Sequence, residues 1–304
     1  MSDSKKPTPA NVIEMLVHCI NQNDTGAFYK WANDYHKGLA VGGDLHARMG
    51  RLLHARPKTM QLLDTLHTKM RGLAEQYEMP LENVFVSEAS RAFLDPLLTE
   101  WRNRDLYTYH NLGVRTKVLL HGPTGNGKTT LGRWLARQME LPFVEVKADA
   151  MIDSHIGSTG RNIHSVFTNI KEPCVLFWDE VDSIGRRRGS GKGTAGAEVE
   201  NERNVNSLLV NMERLDPSVI FIGATNRREV LDPAFVRRFD AQFEVGNPNE
   251  QEKRAFAQQL AGHHQLPAEF MPTGYENLAS FSDIKLFVVA AARQFVAQQI
   301  MERQ

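Results

Sequence analysis

The sequence predicts an α/β fold: a parallel sheet with helices on both faces, preceded by a helical amino-terminal domain and followed by a small helical lid. Three apolar runs carry that prediction. Val118, Leu119 and Leu120 lead into a glycine-rich stretch that opens a helix-like run at Thr130. Residues 174–178, Cys-Val-Leu-Phe-Trp, end in Asp179 and Glu180. Residues 219–225, Val-Ile-Phe-Ile-Gly-Ala-Thr, end in Asn226. Uninterrupted apolar strands suit a sheet buried on both faces. Each run stops at a polar residue, where the carboxyl end of a parallel strand faces a ligand crevice.

The glycine-rich stretch is Gly122-Pro123-Thr124-Gly125-Asn126-Gly127-Lys128-Thr129. It fits G-x-x-x-x-G-K-[ST] at every fixed position, in the strand–loop–helix setting that the pattern needs. The fold is therefore expected to be a P-loop NTPase sheet. Glycines at 122, 125 and 127 let backbone N–H groups converge on phosphate oxygens, and the helix start adds its positive dipole end. A glycine turn that merely caps a helix has no need of Lys-Thr at its mouth. The expected nucleotide-binding residues are Pro123, Thr124, Gly125, Asn126, Gly127, Lys128, Thr129 and Thr130. Lys128 would reach the β- and γ-phosphates of ATP, and the Thr129 hydroxyl would sit on Mg²⁺.

Asp179 and Glu180 would turn a phosphate site into a hydrolase. Asp179 would hold Mg²⁺ through water, and Glu180 would act as general base on the attacking water. Asp-Glu is also ordinary at a helix start; its place downstream of a P-loop favours catalysis. The amide of Asn226 can orient the water against the γ-phosphate. The stretch 231–240, Leu-Asp-Pro-Ala-Phe-Val-Arg-Arg-Phe-Asp, carries Arg237 and Arg238. A guanidinium suits developing phosphoryl charge because it stays ionised and donates several hydrogen bonds.

The order P-loop, Asp-Glu strand, Thr-Asn strand and Arg-Arg-Phe-Asp resembles the AAA ATPases, a branch of the AAA+ superfamily, over residues 111–293. The resemblance implies that Asn226 is the sensor-1 residue. It implies that Arg237 and Arg238 are arginine fingers reaching a neighbouring subunit's nucleotide, hence a closed homo-oligomer, usually a hexamer. Arg203 falls near an arginine that such proteins use between subunits. Phe281, Ser282, Asp283 and Ile284 resemble the start of the sensor-2 helix, in a lid that reads as shortened. The family's aromatic–aliphatic–glycine pore loop matches His155, Ile156 and Gly157, with histidine in the aromatic slot. The stretch 154–167 together with the compact Arg-Arg-Phe-Asp also resembles small stand-alone bacterial AAA proteins, some of them paired with a subtilisin-like serine protease in plasmid-stability or defence operons.

The remaining segments set the domain expectations. Residues 1–10 read as a flexible tail and 11–79 as a helical domain for a partner or substrate, with Val12, Ile13, Leu16, Val17 and Ile20 at helical spacing. Residues 80–110 read as a linker, 111–247 as the large ATPase subdomain and 248–304 as the lid. Lys+Arg and Asp+Glu both number 36, so bulk charge gives no drive toward nucleic acid or acidic membranes. Two cysteines with no framework spacing, a polar start and no run long enough to span a bilayer fit a cytoplasmic chain. His36, His46, His54 and His67 are too widely spaced for a compact zinc motif. The basic, glycine-rich stretch 186–196 reads as a solvated loop where the family places its second pore loop.

Three functions follow. The leading one is an ATP-driven ring that remodels a protein partner. The second is a nucleotide-gated regulator of an effector such as a serine protease, acting without threading. The weakest, motivated by the arginines at 186–188, is a nucleic-acid-dependent ATPase.

Overall fold

The computed structural model describes residues 70, 72–76, 84–151, 158–186 and 195–301. The expected tail and nearly all of the expected amino-terminal domain lie outside them, as do His155, Ile156 and Gly157 and residues 187–194 of the basic loop.

The strands are β1 (Ala74–Gln76), β2 (Lys117–His121), β3 (Phe143–Val146), β4 (Cys174–Trp178), β5 (Val219–Thr225) and β6 (Ala241–Glu244). They form one 6-stranded sheet in the order β1-β3-β4-β5-β2-β6. The helices are α1 (Glu88–Arg102), α2 (Arg104–Tyr109), α3 (Lys128–Gln138), α4 (Ala148–Met151), α5 (Ser158–Asn169), α6 (Ala195–Glu213), α7 (Pro233–Val236), α8 (Glu250–His263) and α9 (Phe281–Met301).

All side chains of β4 and β5 are buried, as their unbroken apolar sequences require. Alternation sends Val175 and Phe177 to one face, where they join Ile220, Ile222, Leu131, Leu135 and Leu94 in one core. On the other face Phe167 of α5 packs its ring against Trp178 and Phe221. The sheet is thus covered on both sides, as expected.

Strands β2 to β6 pair in parallel, as expected. To them β1 adds an antiparallel edge, pairing with β3. That strand lies inside the segment read as helical; three residues with only Ala74 buried leave no periodic signature. Glu75 stands opposite Glu145 in the pair. Lys147 pairs with Glu75 and Arg133 with Glu145, which offsets the repulsion of facing carboxylates. Within the stretch expected to be a linker, Glu88–Arg102 and Arg104–Tyr109 are helical. Ser87 caps α1 by accepting from the Ser90 N–H, and Leu94, Leu97, Leu98 and Trp101 form one buried face. Burying each such side chain contributes about 1.5–3 kcal/mol before entropy is subtracted. Pro96 inside the helix disguises it in the sequence, since proline normally reads as a break.

The topology brings three strand ends together. β5 lies between β2 and β4, with His121 opposite Thr225 and Trp178 opposite Gly223. The loops after β2, β4 and β5 therefore leave the sheet side by side. Asp240 steadies this edge: its Oδ2 accepts from the backbone N–H groups of Thr116 and Lys117, each at 2.9 Å.

The lid is a second small core. Asn249 and Glu252 form a capping box at the start of α8. Ala257 of α8 packs with Tyr275, Ile284 and Val288. The rings of Phe85, Phe256 and Phe281 lie 5.0–5.4 Å apart and join this core to the extended segment before α1. The last helix is not short: α9 has 21 residues.

Candidate functional site

The loop after β2 is built on glycine. Gly122 has φ +136°, and a Cβ there would lie 2.3 Å from the carbonyl oxygen of Val245. Gly125 has φ +83°, and its Cβ would meet Ser280 Oγ at 2.9 Å. A side chain at Gly122 would collide with backbone, and one at Gly125 would be strained by its left-handed φ and would crowd Ser280. The Gly125 carbonyl accepts from the Ser282 N–H at 3.0 Å, so the lid rests on the loop. Gly127, also left-handed, is the N-cap of α3. The helix starts at Lys128, so Lys128, Thr129 and Thr130 form its first turn, whose N–H groups have no partners within the helix. With the dipole behind them they make an anion site.

Lys128 is buried, at 8% exposure. Its Nζ donates to the carbonyl oxygens of Gly122 at 2.7 Å and Pro123 at 2.9 Å. Burial lowers its pKa, and the nearby Asp179 carboxylate opposes that shift. An ammonium has three N–H donors. Two are used by the loop and one remains for a ligand oxygen.

Thr129 Oγ1 donates to Asp179 Oδ2 at 3.1 Å, across a separation of 50 residues. Asp179 Oδ1 accepts from the Glu180 N–H at 2.9 Å. Glu180 is exposed and left-handed, with φ 50° and ψ 41°. A non-glycine residue in that region costs of order 1–3 kcal/mol and is typical of functional turns. One strand further along, Asn226 Nδ2 donates to Thr124 Oγ1 at 3.1 Å.

Beneath these groups lies a pair the sequence did not single out. Thr225 Oγ1 donates to Asp182 Oδ1 at 2.6 Å, and both residues are buried. The same hydroxyl accepts from the Arg227 N–H at 2.9 Å. The turns that present Glu180 and Asn226 are thereby tied together. An acid two positions after Glu180 and a threonine just before Asn226 were the visible hints; their bond was not.

Arg237 and Arg238 follow α7. Arg237 is exposed, and its Nε donates to the Pro233 carbonyl at 3.2 Å. Arg238 pairs with Glu213 of α6 at 2.8 Å, with side chains 40% and 57% exposed. Neither bond reaches the phosphate loop.

Beside the loop opens a cavity of about 770 Å³, between the start of α1, α3 and the two lid helices. Val84, Phe85, Asn126, Asn247, Phe256 and Lys285 are among its lining residues. Its size is that of small-ligand sites generally. Asn126 is buried; its Nδ2 donates to Asn247 Oδ1 at 2.8 Å, while its Oδ1 has no partner among the described residues.

Residues 118–247 match the family model of the ATPases associated with various cellular activities (AAA). The chain carries an AAA ATPase domain. Its relatives include the ATP-dependent zinc metalloprotease FtsH of Mycobacterium leprae, 39% identical over 155 residues, which are 48% of this chain and 19% of that protein. FtsH 4 of Sphaerobacter thermophilus is 37% identical over 190 residues, 60% of this chain and 28% of that one. The chain thus spans less than a third of the length of these relatives. Among solved structures, the FIGL-1 AAA domain superposes with a TM-score of 0.59 at 22% identity, covering 75% of this chain and 77% of that one, and shares the fold. No helix among the described residues is long and apolar enough to cross a membrane.

Proposed function

We propose that this AAA ATPase domain hydrolyses Mg²⁺-bound ATP at a site completed by a neighbouring copy in a closed ring, hexameric by family resemblance, and that the cycle remodels or regulates a protein partner. The bond between Thr129 and Asp179 is the observation that carries this reading. It sets a hydroxyl and a carboxylate, both hard oxygen donors, side by side at the mouth of an anion-binding loop. That donor set fits Mg²⁺. Bound there, Mg²⁺ would neutralise phosphate charge.

The chain's own groups do the rest. The backbone N–H groups of the loop and the start of α3 bind phosphate oxygens, with Lys128 supplying its third N–H. Glu180, projected by its left-handed turn, takes the proton from water. Asn226 orients that water. Arg237 and Arg238 are exposed and tied only by surface bonds, worth up to about 1 kcal/mol each, so a neighbour's phosphates can recruit them. An interface that presents one face to its neighbour's opposite face closes as a ring when its rotation divides a full turn.

Asp179→Asn tests the carrying observation. Turnover should fall about a hundredfold or more, because metal charge stabilisation is worth several kcal/mol. Mg²⁺-dependent turnover near that of the unaltered protein would remove Asp179 from the metal site.

His155 in place of the family's aromatic residue favours a second reading, a ring that gates an effector without threading it. The subtilisin-like protease of the resemblance is one such effector, in the cytoplasm. His155→Ala separates the two: biological activity intact with the loop blunted supports gating, and its loss with ATPase retained supports gripping. Nucleic acid is the weakest partner on charge grounds. Stimulation of turnover by DNA or RNA at low salt would revive it.

A further inference from the structure

We propose that Thr124 is a positioning residue: its hydroxyl holds the Asn226 amide in place for the attacking water. The inference rests on the water-orienting role proposed for Asn226. Its basis is the bond from Asn226 Nδ2 to Thr124 Oγ1, 3.1 Å long and spanning 102 residues of sequence.

The phosphate-loop pattern leaves position 124 free, since it is one of the four unspecified residues between the first glycine and Gly127. Cradling phosphate at that position needs only the backbone N–H, which any residue but proline supplies. A hydroxyl there is therefore not explained by phosphate binding alone. The sheet explains it. His121 and Thr225 stand opposite each other as the last residues of β2 and β5. Asn226 is the first residue beyond β5, and the phosphate loop rises beside it. Asn226 is exposed, so burial does not fix its rotamer. One hydrogen bond to a neighbouring loop selects the side-chain orientation. Its second N–H and its carbonyl oxygen remain available to water and phosphate. Thr225, one residue earlier, is fixed from below by Asp182. The Thr225 hydroxyl and the Asn226 amide are thus anchored separately, the first by Asp182 and the second by Thr124.

The experiment compares Thr124→Val, Thr124→Ser, Asn226→Ala and the double variant Thr124→Val/Asn226→Ala in the full chain. The readouts are kcat and KM for ATP and the Kd of a fluorescent ADP analogue. Valine keeps the shape and the backbone N–H and removes the hydroxyl. Thr124→Val should lower kcat about tenfold, with KM and the ADP Kd within about twofold of the unaltered protein. Thr124→Ser should restore turnover to within about threefold, because the acceptor returns. The double variant should be no slower than Asn226→Ala, since the hydroxyl acts only through the amide.

Normal kcat in Thr124→Val, serine as slow as valine, a loss of ADP affinity that matches the loss of turnover, or additive losses in the double variant would each overturn the inference. If Asn226→Ala is slow and Thr124→Val normal, the inference alone falls. If Asn226→Ala turns over normally, the role assigned to Asn226 falls and takes the inference with it.

Discussion

Thr129 with Asp179, proposed for the metal, and Arg237 with Arg238, proposed for a neighbour's nucleotide, are two pairs that the chain holds in different ways. Thr129 lies in the first turn of a helix and Asp179 follows directly on a fully buried strand; a direct bond joins them. The arginines sit on an exposed turn, one bonded to a carbonyl four residues back and the other to a surface glutamate. The first pair is set by the folding of one chain. The second is set only loosely, as suits groups whose final partner belongs to another copy. On the proposed reading, half of the chemistry is built into the protomer and half is presented outward.

The largest test of that division is Arg238→Ala. An arginine supplied across an interface is worth about a thousandfold or more in turnover, and a loss of that order is expected in a phosphate-release assay. Mixing this variant with Glu180→Gln subunits, which keep their own arginine, should restore activity. Absence of recovery would break the division between inner and outer halves. Glu180→Gln alone should lose about a hundredfold or more in kcat as the general base is removed, while a fluorescent ATP analogue still binds. Near-normal hydrolysis would take Glu180 out of that role.

Smaller effects sharpen the comparison. Asp182→Ala leaves the buried Thr225 hydroxyl without its acceptor, and should lower stability by about 1–3 kcal/mol, read from the urea midpoint. An unchanged midpoint would mean that the inner half is not held from below. Glu213→Ala removes only a surface ion pair. It should change stability by less than about 1 kcal/mol and leave kcat within about twofold. A large loss of turnover there would show that Arg238 needs its own-chain partner, contrary to an outward role.

The three strands were legible because each is an apolar run that stops at a polar residue, and the loop because it fits G-x-x-x-x-G-K-[ST] at every fixed position. Lys128 and Thr129 could be named as candidates from that pattern, and Asp179 and Asn226 from the strand ends. The bond between Thr225 and Asp182 could not, because it joins residues 43 apart whose types are ordinary in a turn and a strand end. β1 was hidden by its length and α1 by Pro96, each too weak a pattern to outweigh its surroundings. Asp240 was visible as part of a motif, but its grip on the start of β2 depends on a strand neighbour 123 and 124 residues away. What stayed hidden was the side-chain bonding between segments that only the sheet order brings together.

The contact from Ser282 to Gly125 gives the last helix mechanical leverage. With 21 residues, α9 extends about 31 Å from its root on the phosphate loop. A tilt of about 10° at that root swings its far end by about 5 Å, a displacement comparable with one helical turn. A small adjustment of the phosphate loop would in this way be magnified at the far end of α9.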